Sequence, residues 1–73
     1  MEMTYEIFDG FLADAENCQV CHVLVAGEWL QIAHWDDRYA ERGLLYCRCA
    51  KGIEITKTLI CLSAIDAVRS DAP

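Results

Sequence analysis

The chain has 73 residues, 55% of them hydrophobic, and twelve Asp and Glu against six Lys and Arg give a formal net charge of −6 at pH 7. A chain this short buries enough surface for one core only, so we expect a single domain over residues 1–73 without a deep catalytic cleft. Because nucleic-acid binding depends on neutralising phosphates, the acidic balance disfavours nucleic acid and favours a basic protein surface as the partner. The alternative is that the net negative charge only keeps a small apolar domain soluble.

The first predicted element is an amphipathic helix over about residues 4–16. Thr4 can cap its start, and Gly10 weakens it by up to about 1 kcal/mol relative to Ala, so the helix needs tertiary packing to persist. Apolar residues recur at helical spacing: Ile7, Phe8, Phe11, Leu12 and Ala15. Residues 1–17 carry no base, and their acids are Glu2, Glu6, Asp9, Asp14 and Glu16.

After the helix, the sequence pattern is typical of β-strands. Residues 20–26 and 29–35 are rich in β-branched and apolar side chains and are joined by a tight turn at 27–28, which predicts a hairpin. Residues 36–43 are predicted to form a polar loop, although the helical spacing of their charges would also suit one helical turn. Residues 44–50 and 53–62 are predicted as the third and fourth strands, with a turn at 51–52 between them.

The final segment determines the predicted architecture. Leu62, Ile65 and Val68 recur every three residues, which favours one tight helical turn before a short fifth strand at about 67–70. The sequence therefore predicts a mainly β (α+β) fold, in which an N-terminal helix precedes a five-stranded antiparallel small barrel, Sm-like or SH3-like. Closure of the barrel would hide sheet edges that otherwise invite aggregation.

Two tryptophans in the second strand are candidate interface residues. In a regular strand Leu30, Ile32 and His34 share one face, while Trp29, Gln31 and Trp35 share the other. If the Leu30 face is the core, Trp29 and Trp35 lie near the surface, where aromatic anchors commonly mark an interface. The alternative is ordinary packing under the N-terminal helix.

Five cysteines, Cys18, Cys21, Cys47, Cys49 and Cys61, cannot all pair within one chain. The N-terminal residues lack a secretory pattern, and no apolar run approaches the roughly 18–20 residues that span a bilayer, so we expect reduced thiols in the cytoplasm and no membrane partner. Free cysteines behave as small hydrophobic residues, so we predict that these thiols pack in the core. On this interpretation the protein binds no cofactor and no metal. The alternative is a structural zinc module that uses the first four cysteines.

The sequence gives less support to haem attachment, thiol catalysis or a cation site. Cys18 to His22 matches the spacing of a c-type haem attachment site, but the segment runs directly into β-branched sequence without an export signal. The two histidines could activate a thiol only if the fold placed them beside one. Asp36, Asp37 and Glu41 are interrupted by arginines, so a solvated mixed-charge loop is expected there instead of a cation site. We therefore predict a protein that is not an enzyme.

Two segments resemble the Rho-inhibitor (Rof-like) family of Sm-like small barrels. Residues 27–31, Gly-Glu-Trp-Leu-Gln, are similar to its turn and second strand, and residues 60–65, Ile-Cys-Leu-Ser-Ala-Ile, to its closing strand and turn. The resemblance implies that acidic residues of the helix and of the first part of the barrel cover a basic RNA-binding surface on transcription-termination factor Rho. The positions that correspond here are Asp9, Asp14 and Glu16.

The predicted function is a regulatory or adaptor domain that binds a basic protein surface through its acidic helix, in the manner of a transcription antiterminator. Its predicted protein-binding residues are Asp9, Asp14, Glu16, Trp29 and Trp35. A marginal core and exposed tryptophans also favour a homodimer. The other alternative is a homo-oligomeric Sm-like RNA-binding protein, which would need its few bases to cluster: Arg38, Arg42, Arg48 and Lys51.

Overall fold

The computed structural model describes residues 2–13 and 20–71, with Asp71 described by its backbone alone. The elements in chain order are α1 (Tyr5–Ala13), β1 (Val20–Val25), β2 (Glu28–Asp36), a 3-10 turn (Ala40–Arg42), β3 (Leu44–Lys51), β4 (Glu54–Cys61), a second 3-10 turn (Leu62–Ala64) and β5 (Ile65–Asp71). The helix and all five predicted strands are confirmed, as is the tight turn before the last strand.

Helix α1 begins where the sequence predicts. The backbone N–H of Ile7 donates to Thr4 Oγ1 at 3.2 Å, so the threonine hydroxyl caps the first turn. Phe8 and Leu12, one turn apart, point into the core and fix the helix against the sheet. The predicted last turn, residues 14–16, lies outside the described residues.

The sheet is antiparallel throughout, in the order β4-β3-β2-β1-β5. Its two edge strands, β4 and β5, are consecutive in the chain and are joined only by the turn Leu62–Ala64, so the sheet must curl until these edges approach. Among the described residues, however, β4 and β5 share no ladder. The predicted closure of the barrel is therefore incomplete: the sheet is strongly bent but open.

The turn between β1 and β2 lies one residue earlier than predicted. Val25 pairs with Glu28, which leaves Ala26 and Gly27 as the two turn residues, with φ of 51° and 79°. Two positive φ values are typical of a type I′ turn, whose twist matches that of the flanking strands. Glycine adopts this conformation without strain, whereas alanine does so at a cost of about 1–2 kcal/mol.

A β-bulge in β2 separates the two tryptophans. Ile32 pairs with Cys49, but after one extra residue, Ala33, the register shifts and Trp35 pairs with Cys47. Cys47 and Cys49 lie two residues apart and share a face, so Trp35 joins Ile32 on the core side. The expectation that Trp29 and Trp35 share a face is therefore wrong, because it assumed a regular strand.

The core lies between α1 and the inner face of the bent sheet. Its largest fully buried side chains are contributed by the helix and by strands β1 and β3: Phe8, Val23, Leu45 and Cys47. The Phe8 and Trp35 rings meet edge to face, with centroids 5.6 Å apart and planes at 84°. This contact makes α1 part of the core.

Candidate protein-binding surface

The predicted site residues are not gathered in one place. Asp9 is exposed on α1, and its carboxylate accepts a 3.3 Å hydrogen bond from Trp35 Nε1–H. Trp35 itself is half-buried and packs against the core, whereas Trp29 is 41% exposed on the outer face of the sheet. Asp14 and Glu16 lie outside the described residues.

The exposed side of α1 combines acids with apolar side chains. Ile7 and Phe11, one turn apart, are 41% and 51% exposed, although both are large and hydrophobic. Glu6 and Asp9 are also exposed, but at 3.6 residues per turn they lie further around the helix, with Asp9 on nearly the opposite side from Ile7 and Phe11. We call these four residues the α1 face. The helical pattern suggested that Ile7 and Phe11 face the core, but one helix buries only one stripe, and Phe8 and Leu12 occupy it.

The electrostatic field around α1 is negative. The first base in the chain is Arg38, so residues 1–37 hold eight of the twelve acids and no Lys or Arg. Partial burial raises the pKa of the Tyr5 hydroxyl, and the nearby carboxylates of Asp9, Asp37 and Asp36 raise it further. The fold therefore brings the end of β2 close to the start of α1, and the two segments add their negative charge.

One of these carboxylates is neutralised. Asp36 accepts hydrogen bonds from the backbone N–H of Arg38 at 3.0 Å and from its guanidinium, and the ion pair measures 2.9 Å. These bonds lower the pKa of Asp36. The Arg38 guanidinium also lies 4.3 Å from the centre of the Tyr46 ring. The remaining negative charge beside α1 thus includes Glu6, Asp9 and Asp37.

Trp29 has a local partner on the outer face of the sheet. The guanidinium of Arg69 in β5 lies 4.3 Å from the centre of the Trp29 ring. A cation at this distance from an indole is attracted by the ring quadrupole, with a strength of about 0.5–1 kcal/mol at an exposed site. The contact orients Trp29 and covers one face of its ring, so the two tryptophans have different environments.

The bases considered for RNA binding are only partly gathered: Arg38 and Arg48 line one cavity, and Lys51 does not line it. Arg38 is paired with Asp36, and Lys51 lies directly opposite Glu54 in the β3–β4 ladder. Arg48 instead has Lys57 opposite it on β4 and His34 opposite it on β2, so the three form one row on the outer face of the sheet. Sequence reasoning missed this row, because it depends on cross-strand register between segments that are distant in the chain.

Apolar side chains flank the basic row on the exposed edge strand. Ile55 and Leu59 lie two residues to either side of Lys57, on the same face of β4, and are 61% and 52% exposed. We call Arg48, Ile55, Lys57 and Leu59 the β3–β4 outer face. It carries positive charge and apolar area side by side.

The described cysteines are spread over the inner and outer sides of the sheet. Cys21 and Cys47 are buried in the core, Cys49 is half-buried and Cys61 is exposed. Within residues 2–13 and 20–71, no group of three or more His, Cys, Asp or Glu side chains could hold a metal ion. Cys18, the remaining member of the proposed zinc set, lies outside these ranges.

Cys47 has the most strongly shifted thiol. Burial raises its pKa to about 12, and the neighbouring Cys49 thiol contributes to the shift. Such a thiol is protonated at neutral pH, which makes it a poor nucleophile. It packs as an apolar group in the core.

No family model, curated protein or solved structure matches this chain. The resemblance to the Rho-inhibitor family therefore stays a prediction based on residues 27–31 and 60–65. In the part of the chain that the structure describes, no helix has both the length and the apolar character needed to cross a membrane.

The Cys47 pKa predicts a loss of stability in alkali. The unfolded thiol ionises near its ordinary pKa of 9.0, whereas the folded thiol holds its proton up to about 12. The folded state binds the extra proton, so this stabilising contribution is complete below pH 9 and is lost as the pH rises through this window, by up to about 1.4 kcal/mol per pH unit. Urea unfolding under reducing conditions at about pH 8 and pH 10.5 measures the loss.

Two variants distinguish the loss of stability caused by Cys47 from that caused by other groups that titrate in alkali. Cys47→Ala should lose less stability between these two pH values than the wild type, because it has no buried thiol to ionise on unfolding. Cys61→Ala removes an exposed thiol and should keep the wild-type loss. Equal losses in all three proteins would contradict the assignment.

Proposed function

We propose that this protein is a non-enzymatic regulatory or adaptor domain of the cytoplasm that binds a basic protein surface through the α1 face. The supporting observation is that Ile7 and Phe11 are exposed on a helix whose neighbouring stripe, Phe8 and Leu12, is held in the core. Protein interfaces commonly combine a few apolar anchors with a polar rim. The α1 face has this composition.

The charges around α1 specify the kind of partner. Asp9 and Asp37 lie close enough to Tyr5 to raise its pKa, Glu6 is exposed on the same helix, and residues 1–37 contain no Lys or Arg. Opposite fields speed association, and like charges exclude wrong partners, so a surface rich in Lys and Arg is the best match. Rho, the partner that the family resemblance implies, is our first choice of probe.

The helix is preorganised for binding. Its first turn is capped by Thr4, and its buried side is fixed by the Phe8 contact with Trp35. The hydrogen bond from Trp35 to Asp9 also holds one rim carboxylate in place. Binding therefore does not require this segment to fold first, which lowers the entropic cost of association.

The test is titration of the labelled protein with purified Rho. We expect Phe11→Ser to weaken binding at least roughly tenfold, since buried aromatic anchors commonly contribute 2 kcal/mol or more. Glu6→Gln should mainly slow association and reduce its dependence on salt between about 50 and 300 mM. Both residues are exposed, so circular dichroism should show both variants folded.

Ile53→Ser is the matched control, because Ile53 is a fully exposed apolar residue that lies in the β3–β4 turn and not on α1. It should bind Rho like the wild type. If Phe11→Ser and Ile53→Ser bind equally well, the α1 face is not the binding surface. If Rho does not bind, a Lys- and Leu-rich amphipathic peptide serves as the second probe, and failure of both probes contradicts the proposal.

A further inference from the structure

A small cavity lies where the end of β2 meets β3 and the loop that follows β2. Its volume is about 250 Å³, and six residues line it: His34, Trp35, Asp36, Arg38, Tyr46 and Arg48. Half of the lining residues are bases, although the whole chain has only six Lys and Arg against twelve Asp and Glu. The cavity is therefore a local exception to the acidic character of the chain.

The Arg38 guanidinium is held in a defined position beside this cavity. Its Nε–H donates to the Asp36 carboxylate at 3.0 Å, its Nη2 lies 2.9 Å from the same carboxylate, and its centre lies 4.3 Å from the centre of the Tyr46 ring. A guanidinium has five N–H donors, and Asp36 uses only part of them. Arg38 can thus serve a second acceptor with little further loss of side-chain freedom.

Arg48 lies among other bases. It pairs with His34 on β2 and with Lys57 on β4, and like charges directly opposite each other destabilise a sheet. Within residues 2–13 and 20–71, neither Arg48 nor Lys57 forms an ion pair with a carboxylate. Departures from local rules of this kind are expected at functional sites, where a ligand compensates for them.

The acid in the cavity does not cancel its positive charge. Hydrogen bonds from Arg38 lower the pKa of Asp36, so Asp36 is ionised at neutral pH and balances the charge of Arg38. Its neighbour Asp37 is exposed and does not line the cavity. The charge of Arg48 remains, and Lys57 adds to it from the neighbouring strand.

We propose that this cavity binds a phosphate dianion, as inorganic phosphate or as the phosphomonoester group of a small molecule. Guanidinium groups match phosphate oxygens in bidentate geometry. A phosphate monoester has three terminal oxygens, enough for Arg38, Arg48 and His34 at once, whereas a carboxylate has two. The volume is below the roughly 300–1,000 Å³ of sites for drug-sized ligands, so the ligand is small. The site shares no residue with the α1 face.

Titration with inorganic phosphate, followed by NMR at an ionic strength held constant with chloride, tests the site. We expect saturable shifts of the backbone amides of His34, Arg38 and Arg48. Arg48→Gln should weaken binding at least roughly tenfold, because it removes a charge-assisted hydrogen bond. It also relieves repulsion from Lys57, so the variant should stay folded. Arg42→Gln is the matched control, since it removes an exposed arginine that does not line the cavity, and it should bind like the wild type.

Asp36→Asn should change the affinity in the opposite direction. Asparagine keeps an oxygen that can accept from Arg38 but removes the negative charge from the cavity, so phosphate should bind several-fold more tightly. Phenyl phosphate, titrated in parallel, identifies the source of the group. Tighter binding than inorganic phosphate favours a phosphomonoester, and weaker binding favours the free ion.

Several results would overturn the inference. They are shifts that chloride alone reproduces, an Arg48→Gln variant that binds phosphate like the wild type, and equal losses in Arg42→Gln and Arg48→Gln. Weaker binding by Asp36→Asn would also contradict it. A single-stranded oligonucleotide that binds more tightly than both phosphate compounds, and that loses its affinity in Arg48→Gln, would assign these bases to nucleic acid instead.

Discussion

Phe8→Ala is expected to leave a large fraction of the protein unfolded at 25 °C. Phe8 is fully buried, and replacing a buried phenylalanine by alanine costs about 3–5 kcal/mol through lost transfer energy and the cavity that remains. A single core in a chain of this size rarely supplies more than about 3–5 kcal/mol in total. The expected loss is therefore as large as the whole stability.

Phe11→Ala provides the control on the same helix. It removes the same side chain from a position that is half exposed and outside the core, and alanine is the better helix former. We expect its free energy of unfolding to stay within about 1 kcal/mol of the wild type. Urea titrations followed by circular dichroism measure both variants, and similar losses in the two would contradict the orientation of α1.

The second large effect is expected for Trp35→Ala. This change removes the edge-to-face contact with Phe8 and the indole N–H that binds Asp9, and it opens a cavity under α1. Because Trp35 is half-buried, we expect a loss of about 2–4 kcal/mol, toward the lower part of the range for buried aromatic residues. Trp29→Ala should cost about 1 kcal/mol, since Trp29 is exposed on the outer face of the sheet and loses there its contact with Arg69.

Fluorescence of single-tryptophan variants gives an independent measurement. Trp29→Phe leaves only Trp35, whose emission should lie at shorter wavelength and resist iodide quenching. Trp35→Phe leaves only Trp29, which should emit at longer wavelength and be quenched readily. If the two variants give the same spectra and the same quenching, the β-bulge at Ala33 does not separate the two side chains.

The effects of substituting the two aromatic residues are coupled. Phe8 and Trp35 touch, so their substitutions are not expected to add. The double variant should lose less stability than the sum of the two single losses, because the second change acts on a contact that the first has already removed. The coupling makes α1 and β2 one cooperative unit, and the same unit positions the α1 face.

Local patterns were sufficient to predict the elements of the fold. Thr4 and the helical spacing of Phe8 and Leu12 specify α1, because a capped amphipathic stripe needs no distant residue to be recognised. Gly27 and Gly52, both at positive φ, mark the two hairpin turns to within one residue. The three-residue spacing of Leu62 and Ile65 predicted the 3-10 turn before β5.

What the sequence by itself determined is the order of one helix and five strands and the negative charge of the N-terminal half. Only the tertiary structure decided that the sheet stays open, that Ala33 forms a bulge which turns Trp35 into the core, and that Arg48 and Lys57 meet on the outer face. The physical reason is that helix stripes and turns depend on neighbours within a few residues, whereas register depends on how distant strands pack. A shift of one residue in register exchanges the inner and outer faces of a strand, and no local pattern specifies that choice.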